Sequence, residues 1–481
     1  MNVPTSRRRA KIVATLGPAS SGLANVRALV DAGLDVARIN FSHGDERSWL
    51  TAIQAVRTAQ EQTAKPVAIL GDLQGPKIRI GGVPDETEIV RGERVDIVVG
   101  SSADAVLEQD CLTVSCSYAA LVDEVEPGGR VYLRDGELDL LIERIVGNRI
   151  QTTVRGGGLL TARAGLHAPG AGQRLPAVTA QDREHIEFAV AHGVDFLALS
   201  FVRTAADLSE ARAAVHAVGG EVPLISKIET ISAIRDLREI IAASDGVMVA
   251  RGDLGVEVGP AEVPVMQRQI IETAGRALQP VIIATQMLES MVQRQRPTRA
   301  EASDVANAVW DGADALMLSA ETAVGRHPVE VVAMMDGIIR RAESEDAGRA
   351  AVAQPIELSN DAARTIAVAV AAAVEQHPQV RAVIVFTISG RSGRLISHVR
   401  LPTPVLVLAP QNQIVQRLAL LWGIQPRHCP SPDDLDLMLR EVERAAVDAF
   451  GLESGDQVVL TGGFPLGQGE PTNFLKLHRI P

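Results

Sequence analysis

Short runs of apolar and β-branched residues recur along the chain, and each is bounded by turn residues. Eight such runs occupy residues 11–17, 35–41, 67–73, 196–201, 224–229, 246–251, 281–286 and 315–319. They lack strict apolar–polar alternation, which is typical of parallel strands buried on both faces. Amphipathic stretches separate most of them, for example 181–193, 204–218, 230–243 and 260–278. This alternation of strands and helices predicts an α/β fold, and eight such strands indicate a TIM-type (β/α)8 barrel.

One gap between successive strands is too long for a helical connection. Between Leu73 and Phe196, segments such as "ETEIVRGERVDIVVG" alternate apolar and polar residues and end in glycine turns. This texture is typical of β-hairpins. It predicts a small β-barrel domain over residues 82–176, inserted after the third barrel strand. Because an insertion at the carboxyl end of a strand lies over the active-site face of a barrel, we expect this domain to act as a lid.

The pattern changes again after about residue 345, where a linker-like stretch leads into a separate unit. Its predicted helices are 360–376, 391–399, 411–422 and 432–450, and its predicted strands are "AVIVFTIS", "PVLVLAP", "QVVLTGG" and "NFLKLHRI". The expected domains are a first barrel part (1–81), the lid (82–176), a second barrel part (177–345) and a C-terminal α/β regulatory domain (346–481).

Composition narrows the classes of function. The 481-residue chain carries a formal net charge of −12 and only 3% aromatic residues, which argues against binding to nucleic acid. Small phosphorylated ligands remain compatible, because they need only a few local cations. The longest helical apolar run, residues 365–374, is too short to cross a bilayer, so no membrane partner is expected. Three sparse cysteines fit a reducing compartment, and we expect a cytoplasmic protein.

Polar and charged residues follow the apolar strands at the ends that face the active site in a barrel. They are Arg38, Asn40, Asp72, Lys227, Glu229, Arg251, Asp253, Thr285, Ser319 and Glu321. Lys227 and Glu229 are two apart on one strand and therefore face the same side. Glu229 and Asp253 end successive strands and can approach each other. Two carboxylates without a nearby histidine or cysteine suit Mg²⁺ or Mn²⁺ rather than zinc.

Several motifs occur together in one order along the chain. They are "NFSHG", "DLQGPKIR", "SKIE", "VMVARGDLGVE", "ATQMLESM" and "PTRAEASDVANAVWDGADALMLSAET". In this combination the chain resembles the pyruvate kinase family, through 11–80 and 178–345, more weakly in the lid and moderately in the C-terminal domain. The resemblance implies transfer of a phosphoryl group from phosphoenolpyruvate to ADP, giving pyruvate and ATP, by a homotetramer.

The resemblance also implies roles for single residues. Glu229 and Asp253 hold the divalent metal, Lys227 stabilises the transferring phosphoryl group and the enolate, and Arg38 holds the phosphate. Gly252, Asp253 and Thr285 match positions that bind the substrate carboxylate. Either Thr285 or an ordered water chain protonates the enolate carbon. Arg79, Asn40 and His43 match positions on the nucleotide side, where a second Mg²⁺ is expected to arrive with ADP or ATP.

Two segments depart from the family pattern. The lid segment "AGLHAPG" has Ala164 where relatives carry a lysine for the nucleotide, and the neighbouring Arg163 is a candidate substitute. Relatives that bind K⁺ use positions matching Asn40, Ser42, Asp72 and residue 73, with threonine at 73 and glutamate at 77. This chain has Leu73 and Lys77 instead. Replacing a carboxylate by an ammonium repels a free cation, so K⁺ is not expected to be required.

The C-terminal domain contains a second candidate site. In "TISGRSG", between a strand and a helix, Thr387, Ser389, Arg391 and Ser392 join backbone N–H groups in a possible phosphate-binding turn. An ordinary capped turn is the alternative. The family places a sugar-phosphate effector here, and a nucleotide effector is also possible. The glycine-rich stretch 461–474 is a candidate cover for the site.

Two other functions use much of the same machinery. A metal-dependent barrel lyase or aldolase that forms pyruvate enolate would need the metal carboxylates but neither Arg79 nor the lid. A non-catalytic paralogue that only senses metabolites would be expected to lack Lys227 or Asp253, and this chain has both.

Overall fold

The computed structural model describes residues 8–84, 87–108, 111–344, 361–430, 435–463 and 470–481. The first three strands are β1 (Lys11–Thr15), β2 (Val36–Asn40) and β3 (Ala68–Asp72). The next are β4 (Thr87–Ile89), β5 (Arg94–Val99), β6 (Val106–Glu108), β7 (Cys111–Cys116), β8 (Arg130–Leu133), β9 (Leu138–Val146), β10 (Arg149–Gly156), β11 (Gly158–Leu160) and β12 (Leu166–His167). Then come β13 (Phe196–Leu199), β14 (Leu224–Ile228), β15 (Gly246–Ala250), β16 (Val281–Ala284) and β17 (Ala315–Leu318). The last are β18 (Val380–Phe386), β19 (Val405–Ala409), β20 (Ile424–His428), β21 (Gln457–Gly462) and β22 (Phe474–Arg479).

The helices before residue 250 are α1 (Leu23–Ala32), α2 (Glu46–Thr63), α3 (Leu121–Glu124), α4 (Ala180–Ala191), α5 (Ala205–Ala217), α6 (Ile231–Arg235) and α7 (Leu237–Ala243). Those of the second barrel part continue as α8 (Arg251–Val258), α9 (Val263–Arg276), α10 (Arg299–Asp311), α11 (Ala320–Ala323) and α12 (Pro328–Glu343), with a 3₁₀ turn at Glu289–Val292. The C-terminal helices are α13 (Ala362–Gln376), α14 (Arg391–His398), α15 (Asn412–Leu418) and α16 (Leu435–Phe450).

The eight apolar runs form one closed parallel barrel. Its strands follow the order β1, β2, β3, β13, β14, β15, β16, β17, and β17 pairs with β1 to close the ring. Every residue of β1, β3, β15 and β16 is buried, which explains why these segments lack apolar–polar alternation. The predicted TIM-type barrel is confirmed, and all carboxyl strand ends open toward one face.

The inserted lid is an antiparallel-rich sheet with its own core. Seven of its described strands pair in the order β12, β8, β9, β10, β5, β7, β6, and β4 pairs with β11. The seven-stranded sheet stays open between β12 and β6, whereas the sequence predicted a small barrel. Its core includes Ile97, Leu133 and Leu140, all fully buried, so the lid packs around residues of its own.

The described residues of the C-terminal domain form a five-stranded sheet with helices, and the predicted α/β domain is confirmed. Its order is β20, β19, β18, β21, β22, and only β22 runs antiparallel to its neighbour. The apolar pattern did not predict β20, because its segment contains Pro426 and polar residues and lies at the sheet edge. The predicted domain boundary at 345/346 and residues 464–469 of the 461–474 stretch lie outside the described residues.

The barrel interior is completed by the C-terminal domain. Ala419 and Leu420 belong to the same buried apolar cluster as the inward-facing barrel residues, among them Val36, Ala68 and Phe196 at the starts of their strands. Lys11, the first residue of β1, donates from Nζ to the carbonyl of Ile424 at 2.6 Å. The domain therefore forms the floor of the barrel, opposite the face that carries the strand ends.

A search of the described residues finds no helix that is both long enough and apolar enough to cross a bilayer.

Candidate active site

A line of four charged side chains crosses the mouth of the barrel. Arg38 Nε donates to Asp72 Oδ2 at 2.7 Å, Lys227 Nζ lies 3.4 Å from Asp72 Oδ1, and the same ammonium lies 2.9 Å from Glu229 Oε1. Arg38 also donates to Thr15 Oγ1 at 2.9 Å. Arg38, Asp72 and Glu229 are buried, and the Lys227 side chain is only 12% exposed. The rule that strand ends face the site thus identified residues that lie together.

The charged groups in this line shift one another's pKa values. Burial alone would raise the pKa of Asp72, but Lys227 and Arg38 beside it hold that pKa below its ordinary value. Burial would lower the pKa of Lys227, yet the surrounding carboxylates of Asp72, Glu229 and Asp253 raise it above its ordinary value. Lys227 therefore stays protonated at neutral pH.

Glu229 is a buried carboxylate with few partners. Its Oε2 accepts a hydrogen bond from the Phe201 amide at 2.8 Å, while Oε1 has only the ion-pair contact with Lys227 and accepts no hydrogen bond from the described residues. Burial raises the pKa of Glu229, and Asp253 nearby adds to that rise. A divalent cation next to Oε1 would relieve both effects, so this carboxylate fits a metal ligand.

Asp253 supplies the second carboxylate of the predicted metal pair. It lies in the first turn of α8, which begins directly after β15. Groups of three or more histidine, cysteine, aspartate or glutamate side chains able to hold a metal are absent from the described part of the chain. The protein therefore offers two carboxylates at most at this position, which leaves coordination positions for other oxygen ligands.

Two contacts of Lys227 and Glu229 were not predicted. Lys227 Nζ donates to Ser200 Oγ at 2.7 Å, and Ser200 Oγ donates in turn to the carbonyl of Leu73 at 2.8 Å. Phe201, which holds Glu229 through its amide, has a left-handed backbone with φ of +56°. Both residues directly follow β13, so applying the strand-end rule to that strand would have found them.

Thr285 and Gly252 are in contact, as expected of two residues on one side of the mouth. The Gly252 amide donates to Thr285 Oγ1 at 2.8 Å. Arg251, also at a strand end, donates to the carbonyl of Thr285 at 2.7 Å and to Asp304 on α10 at 2.8 Å. Glu321 is fully buried and accepts from the amides of Leu288 and Ser319, which is a structural arrangement.

Two residues of the predicted monovalent-cation position, Asn40 and Ser42, contact each other directly, and Asn40 pairs with Asp72 across neighbouring strands. Asn40 Oδ1 accepts from the Ser42 amide at 3.1 Å, and His43 accepts through its carbonyl from Trp49. Lys77 Nζ instead contacts the lid, 2.7 Å from Asp135 Oδ1. Leu73 is 1% exposed and fills core space.

In the lid segment on the nucleotide side, Arg163 is exposed and Ala164 is buried. Ala164 is 7% exposed and packs in the lid core, so the position where relatives carry lysine points inward. Arg163 is exposed, with φ of +57°, and its carbonyl accepts from Arg79 Nη1 at 3.1 Å. Arg79 and Arg163 therefore lie side by side at the base of the lid.

A cleft between the lid and the barrel reaches the site at Asp253. Its charged and polar lining includes Lys77, Asp135, His167, Arg203, Asp253 and Glu257. Glu257 joins the two domains, because it accepts from His167 Nε2 at 2.6 Å, from the Gly170 amide and from the Ile231 amide at the start of α6. Arg203 donates to the carbonyls of Gly172, Gln173 and Leu175, which anchors the segment that returns to the barrel.

The candidate effector turn is formed locally in the C-terminal domain. Thr387 Oγ1 accepts from the Gly390 amide at 2.9 Å, and Ser392 shares a hydrogen bond with Thr472. Arg391 pairs with Asp361, which neutralises its charge. Ser389 Oγ accepts weakly from the Arg391 amide at 3.4 Å.

Comparisons with known proteins agree across the whole chain. A family model described as "Pyruvate kinase, barrel domain" matches residues 7–332, and one described as "Pyruvate kinase, alpha/beta domain" matches residues 364–478.

Curated proteins with similar sequences cover nearly all of the chain. The pyruvate kinase of Mycobacterium tuberculosis (strain ATCC 25618 / H37Rv) is 40% identical over 474 residues, which is 98% of each chain. That of Corynebacterium efficiens is 41% identical over 474 residues, again 98% of each chain. The pyruvate kinase of Geobacillus stearothermophilus is 38% identical over 481 residues, covering 98% of this chain and 81% of the relative.

Proposed function

Because the chain belongs to the pyruvate kinase family, we propose that it transfers the phosphoryl group of phosphoenolpyruvate to ADP, giving pyruvate and ATP in the last step of glycolysis. The observation that carries this proposal is the Lys227 ammonium, held between Asp72 and Glu229 at the barrel mouth. Phosphoryl transfer needs positioning and charge neutralisation more than covalent participation of the protein.

In the proposed reaction the bond between phosphorus and the enol oxygen breaks, and a β-phosphate oxygen of ADP forms the new bond to phosphorus. The electron pair of the broken bond stays on the enol oxygen. Lys227 stabilises this oxygen and the transferring group through a charge that does not titrate near neutral pH. Arg38 binds the phosphate, since its guanidinium offers a planar fork of donors and is oriented by Asp72.

Membership of the family implies a divalent metal, and Glu229 and Asp253 are the residues we propose to hold it, as Mg²⁺ or Mn²⁺. The fully buried carboxylate of Glu229, whose Oε1 has the Lys227 ammonium as its one partner among the described residues, supports this assignment. When bound, the ion would supply positive charge to the enolate and carboxylate oxygens of the substrate.

Gly252, Asp253 and Thr285 are proposed to bind the substrate carboxylate. The Thr285 hydroxyl already accepts from the Gly252 amide and donates to the carbonyl of Ala284. Either Thr285 or an ordered water chain protonates the enolate carbon.

On the nucleotide side we assign Arg79, with Asn40 and His43, to the phosphates of ADP and ATP. Arg163 is proposed to replace the lysine that relatives carry one residue later, because Arg163 is exposed beside Arg79 whereas Ala164 is buried. A second Mg²⁺ is expected to enter with the nucleotide.

We propose that K⁺ is not required. Lys77 supplies an ammonium where K⁺-binding relatives carry a glutamate, and Leu73 has no side-chain oxygen to bind a cation. In the structure this ammonium pairs with Asp135 of the lid.

Regulation and assembly are proposed from the family. The turn at Thr387, Ser389, Arg391 and Ser392 is assigned to a sugar-phosphate or nucleotide effector, which would have to displace Asp361 from Arg391. The active form is expected to be a homotetramer, which light scattering would test.

The decisive assay follows pyruvate formation, coupled to its reduction, from phosphoenolpyruvate, ADP and Mg²⁺. Turnover that depends on both substrates supports the proposal. Formation of pyruvate from other oxoacid precursors, with no dependence on ADP, would instead support a lyase or aldolase. Binding of metabolites without turnover would support a sensing paralogue.

A further inference from the structure

Thr285 has a backbone conformation that its side chain disfavours. Its φ is +71°, and the next residue, Gln286, has φ of +54°. The left-handed region is unfavourable for residues other than glycine, and for a β-branched residue it is a true outlier. Two such residues in succession, directly after β16, do not persist unless other contacts hold them.

The contacts that hold this strand end come from Arg251. Its Nη2 donates to the carbonyl of Thr285 at 2.7 Å and its Nε to that of Ala284 at 3.3 Å. One guanidinium thus binds two successive carbonyls, and the side chain is only 14% exposed. Arg251 itself follows β15 directly, so a residue at the end of one barrel strand hydrogen-bonds to the end of the next strand.

A carboxylate on α10 fixes the guanidinium in turn. Arg251 Nη1 donates to Asp304 Oδ1 at 2.8 Å, and Nη2 lies 2.8 Å from Asp304 Oδ2. This two-point pairing sets the plane of the guanidinium, which a lysine could not reproduce. The charge of Arg251 is satisfied by Asp304, so Arg251 does not act as a substrate cation.

The backbone held by Arg251 determines where the Thr285 hydroxyl lies. That hydroxyl accepts from the Gly252 amide at 2.8 Å and donates to the Ala284 carbonyl at 2.5 Å. If the backbone at Thr285 relaxed to an ordinary φ, its carbonyl would leave Arg251 and its hydroxyl would leave Gly252.

We infer that Arg251 and Asp304 are a positioning pair for the reaction: they hold the end of β16 in its left-handed conformation and so place Thr285 against the substrate. This inference rests on the proposed function, because it assigns a purpose to the placement of Thr285.

The test is a double-mutant cycle in the full-length enzyme with Mg²⁺, phosphoenolpyruvate and ADP. We expect Arg251→Ala to lower kcat by about a hundredfold, a loss typical of displacing a catalytic group by about 1 Å. KM for ADP should change little. Because Arg251 acts through Thr285, the variant with both Arg251→Ala and Thr285→Ala should be no slower than the slower single variant. If the kcat loss of the double variant equalled the product of the two single losses, the inference would be overturned.

Two further variants keep the test informative if Arg251→Ala folds poorly. Asp304→Asn weakens the pairing that orients Arg251 without removing the arginine. It should lower kcat, but by less than Arg251→Ala does. Gln286→Gly removes the steric cost of the positive φ at the second residue, because glycine adopts this conformation readily. Added to Asp304→Asn or Arg251→Ala, it should therefore restore part of the lost kcat. No restoration by Gln286→Gly would contradict the strained strand end as the cause.

Arg268→Ala is the matched control. Arg268 also pairs with an aspartate on α10, Asp311 at 2.8 Å, but makes none of its hydrogen bonds to β16. Its kinetics should equal those of the wild type, and a comparable loss of kcat would show that any arginine–α10 contact has the same effect. If the wild type were inactive with phosphoenolpyruvate and ADP, the proposed function itself would be overturned. If the wild type were active but the effects of Arg251→Ala and Thr285→Ala on kcat were independent, only the positioning pair would be overturned.

Discussion

Lys77 and Asp135 join the end of the third barrel strand to the tip of a lid hairpin, with Nζ 2.7 Å from Oδ1. The lysine stem passes beside Gly165, where a Cβ would come within 2.6 Å of Lys77 Cε. Asp135 adopts φ of +54°, and Gly136 after it lies against Val256 of α8, where a Cβ would be 2.9 Å from Cγ2. The lid hairpin therefore reaches both Lys77 and the helix that carries Asp253.

Lys77 makes activity independent of K⁺ in our proposal. Wild-type rates should be the same in potassium-free buffer, with tetramethylammonium holding the ionic strength, as in KCl. Lys77→Glu should lose activity without K⁺ and recover on adding it, because a carboxylate now attracts the free cation. Many-fold activation of the wild type by K⁺ would contradict the role of Lys77 without affecting the family assignment.

Asp135→Asn is the companion to that experiment. The pair is largely exposed on the Asp135 side, at 69%, so the change in unfolding free energy should stay within about 1 kcal/mol. The variant keeps Lys77 and should stay independent of K⁺. If it required K⁺, Asp135 rather than Lys77 alone would determine the cation requirement.

Lys227→Ala should lower kcat by at least about 10²–10³-fold, the loss expected on removing a central electrostatic group. The variant also leaves Asp72 and Glu229 buried without their shared cation, so thermal unfolding must be recorded beside the kinetics. Ser200→Ala, which removes only the hydroxyl that Lys227 Nζ contacts, should be much milder. Near-normal turnover of folded Lys227→Ala would remove Lys227 from the mechanism.

Glu229→Gln should raise the Mg²⁺ concentration needed for half-maximal activity, because an amide oxygen is a weaker ligand than a carboxylate. The matched control is Glu321→Gln, which changes another fully buried glutamate at a strand end that binds only backbone amides. We expect this control to lose stability but to keep the wild-type Mg²⁺ midpoint. Identical Mg²⁺ titrations of wild type and Glu229→Gln would assign Glu229 a structural role only.

Lys11 should make stability rise with pH above neutrality. Burial lowers the pKa of Lys11 from 10.5 to about 8, although Asp35 opposes the shift. Between those pH values the unfolded chain binds a proton that the folded chain lacks, so the free energy of unfolding increases with pH, by up to about 3 kcal/mol. Below pH 8 both states carry the proton and the cost of burying the charge is complete.

Thermal unfolding of wild type and Lys11→Met from pH 7 to pH 10 measures this effect. The variant removes the titrating group, so the wild type should gain stability relative to the variant as pH rises. Lys11→Met also leaves the carbonyl of Ile424 without its donor, which lowers stability by a similar amount at every pH. A difference between the two proteins that stays constant over this range would show that Lys11 does not titrate there.

The sequence predicted the barrel because its strands are buried on both faces and leave runs such as residues 246–250 almost wholly apolar. The same runs predicted the charged line from Arg38 to Glu229, since each strand end is fixed by topology. The partner of Lys77 could not be predicted, because Asp135 is 58 residues away on a hairpin whose position depends on the packing of the lid. The partner of Arg251 could not be predicted either, because Asp304 is 53 residues away on α10.

Some elements were missed because local propensity is weak there. β20 contains Pro426 and charged residues and is formed only by pairing with β19 at the sheet edge. The predicted helix 230–243 divides at Asp236 into α6 and α7, and the start of α6 is held by Glu257 from another segment of the chain. The domain boundaries and the roles of the site residues remain predictions.

Ala419 and Leu420 in the barrel floor have a consequence for how the protein is made. A ribosome releases the eight barrel strands by residue 318, but the two side chains that close their interior emerge a hundred residues later. Until then the nascent barrel exposes an apolar opening at its base, the kind of surface that recruits chaperones or aggregates. The C-terminal domain is thus needed to complete the barrel, and a stalled or truncated product would be a substrate for quality control.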